Sequence, residues 1–167
     1  MLINLLIKKR WTLRDLADKA RQYALKLLCY RGRSEKELSE RLIKKGFPET
    51  VIFSAIKYLR HIGLIDDMSL ADSLRREALT IKLLGYHGAR RFMLHRGIPQ
   101  HIVDVALNSY EKKDIENAQK LVDKKYSKLE HYPPEKVKRR VYNLLLRKGY
   151  SYDTIKTVMR YKNFKED

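Results

Sequence analysis

The chain has 167 residues, and 37 lysines and arginines against 20 aspartates and glutamates give it a net charge of +17. That excess implies a polyanionic partner, nucleic acid first, and says nothing about the fold. A single cysteine, Cys29, excludes an internal disulfide and a structural zinc site and fits a reducing cytoplasm; its apolar surroundings, Leu27-Leu28-Cys29-Tyr30, predict a buried structural thiol.

The N-terminal run Met1-Leu2-Ile3-Asn4-Leu5-Leu6-Ile7 precedes Lys8-Lys9-Arg10. A signal peptide carries its charge first, and a membrane span needs about 20 apolar residues, so neither is expected. A first helix is predicted from Thr12, where Thr12 and Asp15 form a capping box, to about Tyr30. Ser34 and Glu37 repeat the box at a second helix, and a third runs from Pro48 to about His61. Gly63-Leu64-Ile65-Asp66-Asp67 is a link, with Asp66 or Asp67 capping a long helix through Ala71, Leu74, Ala78 and Leu79. Gly85-Tyr86-His87-Gly88 is expected to break that helix. Helices at about 89–96, 99–110, 114–128, 134–148 and 151–162 follow, with one soft stretch at 126–135 that contains Pro133-Pro134.

One phrase occurs three times: Leu42-Ile43-Lys44-Lys45-Gly46-Phe47-Pro48, Met93-Leu94-His95-Arg96-Gly97-Ile98-Pro99 and Leu145-Leu146-Arg147-Lys148-Gly149-Tyr150-Ser151. Its glycines are 51 and 52 residues apart, a period that signals a repeat protein. Apolar residues match around it. Leu38, Ala89 and Val141 stand eight before the glycine, Ile52, Val103 and Ile155 six after, and Ala55, Ala106 and Val158 nine after. Each repeat is therefore an amphipathic helix, a glycine and a second amphipathic helix. Glycine at C′ enters the left-handed region without a Cβ penalty. Pro48 and Pro99 suit the first turn of the next helix, and Ser151 is an N-cap. The fold class is all-α: three tandem three-helix repeats forming an elongated, curved protein. Residues 1–66 hold an N-terminal extension and repeat 1, 67–112 repeat 2 and 113–167 repeat 3. Each is marginal for a private core, so the repeats lean on one another.

The charge is uneven, with net +8 over 1–66, +2 over 67–112 and +7 over 113–167. Lys44-Lys45, His95-Arg96 and Arg147-Lys148 fall in last turns, where cations complement the helix dipole by about 0.3–1 kcal/mol. Their plain reading is helix termination. Lys136, Arg140 and Arg147 share one stripe of their helix, with Arg139 beside them, and the dipole does not explain cations in the first half of a helix. They are the leading DNA- or filament-binding candidates, followed by Arg75, Arg76, Arg90 and Arg91, with Lys44 and Lys45 after them. Eleven tyrosines offer stacking surfaces. Tyr23, Tyr58 and Tyr110 fall at core positions, whereas Tyr86 between two glycines is expected to be exposed. No phosphate-binding loop, dinucleotide fingerprint or histidine metal spacing occurs, and no catalytic constellation is found. The chain reads as a protein without cofactor or metal, not an enzyme.

The link 63–67, the following Ala71-Asp72, the basic helix, Gly85 and the Arg96-Gly97-Ile98 phrase resemble the central signature of the RecX family, bacterial regulators of the RecA recombinase. Ala24, Leu27, Leu28, Arg31, Ser34, Glu37 and Leu38 resemble its first repeat, and Gly149-Tyr150-Ser151-Tyr152-Asp153 its last. Leu70 stands where the family often has an aromatic. The resemblance implies a monomeric, cytoplasmic, non-enzymatic protein of tandem three-helix repeats. It implies binding in the groove of the RecA–single-stranded DNA filament and inhibition of the recombinase, with single-stranded DNA and then double-stranded DNA as direct partners and no membrane. Two other readings compete: an independent helix–turn–helix DNA- or RNA-binding protein, and a helical scaffold for an acidic protein. Scattered Asn and Gln argue against base-specific readout from one helix.

Overall fold

The computed structural model describes residues 12–108, 110–127, 129 and 131–161. Among these residues the regular elements are all helical: α1 (Leu13–Tyr30), α2 (Glu35–Lys44), α3 (Glu49–His61), α4 (Asp67–Thr80), α5 (Tyr86–His95), α6 (Gln100–Ala106), a 3-10 turn (Tyr110–Lys113), α7 (Asp114–Tyr126), α8 (Pro134–Lys148) and α9 (Tyr152–Tyr161). The apolar N-terminal run and the expected helix ends at 128 and 162 lie outside the described residues. The chain forms two compact units, Met1–Leu70 and Ala71–Asp167.

The repeated turn has the predicted geometry. Gly46, Gly97 and Gly149 lie at φ +88°, +78° and +79°. In each, the amide of the next residue (Phe47, Ile98, Tyr150) donates at 3.2 Å to the carbonyl four before the glycine (Leu42, Met93, Leu145). Orphan carbonyls at the helix end are satisfied in this way. Gly63, read as part of a link, closes α3 by the same device: its φ is +74° and Leu64 donates to the Leu59 carbonyl at 2.9 Å. The matched apolar positions are buried in all three repeats, except that Ala106 is only half-buried at the end of α6.

The expected caps form, except that the Ser34–Glu37 box is only half closed. Thr12 and Asp15 form the reciprocal box. Ser34 accepts from the Glu37 amide at 3.1 Å, while the Glu37 carboxylate takes the guanidiniums of Arg31 and Arg33. Asp66 caps α4, accepting from the Met68 and Ser69 amides at 2.9 and 3.2 Å. Asp67 reaches back to the Glu35 amide at 3.0 Å, and its burial pushes its carboxyl pKa up. Ser151 accepts from the Thr154 amide at 3.2 Å.

Five expectations need correction. Pro48 and Pro99 are extended N-caps one residue before the helices, not first-turn residues. Cys29 is exposed, because the buried face of α1 runs through Ala20 and Ala24. Tyr58 is 43% exposed and carries the Arg21 guanidinium 4.5 Å above its ring. The expected break after α4 exists, since α4 ends at Thr80 and Gly85 caps the next helix, but Gly88 takes no part in it. Gly88 lies inside α5, which starts at Tyr86 with Gly85 as N-cap, and Tyr86 itself is half-buried.

The reason for Gly88 is a backbone contact. A Cβ there would stand 2.0 Å from the Lys148 carbonyl oxygen, and one on Gly85 would stand 2.6 Å from that of Gly149. The amides of Gly85 and His87 donate to those carbonyls, both at 3.1 Å. The start of α5 thus abuts the end of α8. The carbonyls just before it are taken by side chains: Lys148 Nζ donates to Lys82 at 2.6 Å, Tyr150 to Leu83 at 3.1 Å and Tyr110 to Leu84 at 3.0 Å. These bonds hold Leu83 at φ +46°, a left-handed conformation costing about 1–3 kcal/mol for a non-glycine residue. Repeats 2 and 3 are joined by this segment into one unit.

Candidate nucleic-acid interface

α8 organises the cations of repeat 3. It begins at Pro134, where the missing amide hydrogen is harmless, and stops at the left-handed Gly149. Val137, Val141 and Leu145 bury one face. The residues flanking that face fall into two stripes at helical spacing. Lys136, Arg140, Asn143 and Arg147 form one, and Glu135, Lys138, Arg139 and Tyr142 the other.

The first stripe borders a groove against α7 of about 560 Å³. Lys125, Arg140, Arg147 and Lys148 line it over an apolar floor that includes Leu121 and Leu144, and no carboxylate does. Burial, then repulsion by Lys82, Lys125 and Arg147, pushes the Lys148 ammonium pKa down. Crowded cations without a carboxylate suit an oxyanion, whose charge relieves the mutual repulsion. Tyr132 braces the entrance, with Arg140 4.1 Å and Lys136 4.6 Å from its ring centroid. Such stacking fixes long side chains over an aromatic face.

Arg139 does not join this set. It lines a second groove, of about 390 Å³, between α8 and α9.

The remaining candidates are largely engaged within the protein. Arg75 pairs with Asp72 at 3.6 Å and Arg90 with Asp104 at 3.7 Å. Arg76 donates to Ser73 at 3.1 Å, and Arg91 reaches the Arg147 carbonyl at 3.5 Å. Exposed pairs like these are weak and leave the cations accessible. In the other unit Lys45 lies 5.7 Å from the Tyr23 ring centroid, and Lys44 is exposed at the end of α2. Among the described residues no helix is long and apolar enough to cross a membrane, and no group of three or more His, Cys, Asp or Glu side chains could hold a metal.

The chain matches the first three-helix domain of RecX over residues 20–59 and the third over residues 112–159, together more than half its length. It belongs to the RecX family. The regulatory protein RecX of Clostridium botulinum (strain Alaska E43 / Type E3) is 29% identical over 150 residues, spanning 88% of this chain and 70% of that protein. The regulatory protein RecX of Streptococcus pyogenes serotype M1 is 32% identical over 146 residues, spanning 86% of this chain and 55% of that one. The crystal structure of RecX from Lactobacillus salivarius aligns with a TM-score of 0.75 at 27% identity, covering 91% of this chain and 99% of that one.

For this RecX-family chain the repeat and its family were legible before folding, but part of the cation geometry was not. Lys125 and Lys148 belong to the first groove, and Lys138, Lys156, Tyr142 and Tyr152 to the second. The spacing of Glu135, Lys138, Arg139 and Tyr142 was the available signal for the second stripe. Lys125 and Lys156 sit on neighbouring helices, so no local pattern pointed to them.

Proposed function

We propose that this RecX-family chain is an inhibitory regulator of the RecA recombinase that lies along the groove of the RecA–single-stranded DNA filament. It acts as a cytoplasmic monomer without catalytic chemistry, and it holds DNA phosphates in the α7/α8 groove without sequence preference. The observation that carries this reading is the convergence of Lys125, Arg140, Arg147 and Lys148 on one groove that no carboxylate lines. Phosphate contacts position a protein on nucleic acid and make its affinity salt-dependent. Lys136, braced on Tyr132, extends the contact at the rim, and Arg75, Arg76, Arg90 and Arg91 add long-range attraction. Lys44 and Lys45 serve chiefly to end α2.

Retention on immobilised RecA, on immobilised single-stranded DNA and on the RecA–single-stranded DNA filament tests the proposal. Strongest retention on the filament, with loss of strand exchange when the protein is added, is expected. Equal retention on DNA whether or not RecA is present would instead favour an independent nucleic-acid-binding protein. Retention on none of the three would overturn both readings.

A further inference from the structure

We propose that the α8/α9 groove is a stacking site for unpaired nucleobases of single-stranded nucleic acid, separate from the phosphate groove on the other side of α8. The inference rests on the DNA-binding part of the proposed function and adds a second, chemically different contact. The groove is lined by Lys138, Arg139, Tyr142, Tyr152 and Lys156, with Ile155 and Met159 beneath and Glu135 as its one carboxylate.

Its tyrosines are uncommitted; Tyr30 and Tyr161 are exposed as well, at 85% and 71%, but neither lines this groove. Tyr23, Tyr58, Tyr86, Tyr110, Tyr132 and Tyr150 each have a ring contact, a stacked cation or a hydroxyl bond within the protein. Tyr142 and Tyr152 are 37% and 61% exposed, and among the described residues neither has a hydrogen bond, ring or cation partner. Among the described residues Arg139 and Lys156 likewise have no hydrogen-bond or ion-pair partner. Two aromatic faces and two uncommitted cations therefore open on one cavity of about 390 Å³, within the roughly 300–1,000 Å³ of small-ligand pockets.

Charge and shape select the occupant. Three cations against one carboxylate favour an anion over a basic or neutral peptide. Aromatic faces beside cations fit a strand whose bases are exposed and whose backbone is charged. A duplex hides its base faces, so it engages the cations but not the rings. The two sides of α8 then divide the work. The α7/α8 groove holds backbone from either strand form, and the α8/α9 groove gives preference to the single strand.

The test is an anisotropy titration of the full chain with two labelled probes of equal length, an oligothymidylate and an abasic deoxyribose-phosphate oligomer. The double variant Tyr142→Ala/Tyr152→Ala should bind oligothymidylate about tenfold or more weakly, since base–aromatic stacking is lost. It should bind the abasic oligomer as the wild type does, with an unchanged salt slope. Tyr142→Phe/Tyr152→Phe should restore oligothymidylate binding, which a merely disturbed fold would not allow. Unchanged oligothymidylate affinity in the alanine variant overturns the site, and the salt slope on the abasic oligomer then still reports on the phosphate groove. Equal loss on both probes also overturns it. Unchanged DNA binding with lost retention on RecA would give the groove to a protein partner instead. A wild type that binds neither probe would overturn this inference together with the phosphate reading.

Discussion

The same turn does different work in the two units. At Gly46 the left-handed glycine ends α2, and a Cβ added there would meet nothing within 4 Å. At Gly149 the hydrogen bonds match and φ is +79° against +88° at Gly46, yet an added Cβ would stand 2.1 Å from the amide nitrogen of Gly88. The first glycine answers only to its own backbone. The second also serves a tertiary contact, in which the start of α5 sits on the end of α8 and Lys148 and Tyr150 reach the carbonyls of Lys82 and Leu83. A repeated phrase thus encodes a repeated local shape, while its energetic weight is set by what packs on it.

That contrast can be broken by substitution. Gly88→Ala and Gly149→Ala should have the largest effects, about 3–5 kcal/mol each, from overpacking and disturbance of two backbone bonds. Gly46→Ala should lose only the left-handed preference, about 1–2 kcal/mol. Urea unfolding of the three variants decides the matter; equal losses at Gly46 and Gly149 would refute the distinction. Tyr150→Phe should lose about 1 kcal/mol by leaving the Leu83 carbonyl without its donor.

The same substitution has a pH signature. Burial pushes the hydroxyl pKa values of Tyr110 and Tyr150 up, so both stay protonated in the folded chain above pH of about 10, where they ionise in the unfolded one. The folded state then binds more protons, and stability falls as pH rises past about 10. The fall should be shallower in Tyr150→Phe, as read from unfolding midpoints across that range. Smallest of all, Lys44→Gln with Lys45→Gln should shift stability by about 0.5–1 kcal/mol, from the helix end and the Tyr23 contact.

How much of this was legible depends on the range of the signal. Period, turn geometry, caps and buried positions such as Leu42, Met93 and Leu145 follow from residues within a few places of each other. Gly88 misled because its glycine answers to Lys148, sixty residues away, and a local reading has only helix breaking to offer. Cys29 and Tyr58 misled because an apolar neighbourhood on a helix does not say where the buried face ends. Arg139 was grouped with Arg140 by adjacency, yet one residue turns a helix by about 100°, enough to send the two into different grooves.

We propose that the α7/α8 groove holds phosphates while the cations ending α2 do not. The direct test is the slope of log affinity against log salt on one single-stranded oligonucleotide, for the wild type and for two variants. Lys125→Gln/Arg140→Gln/Arg147→Gln should bind more weakly, with a slope reduced by about 1 for each phosphate contact removed. Lys44→Gln/Lys45→Gln should keep the wild-type slope. A reduced slope in the second variant and an unchanged one in the first would contradict the account.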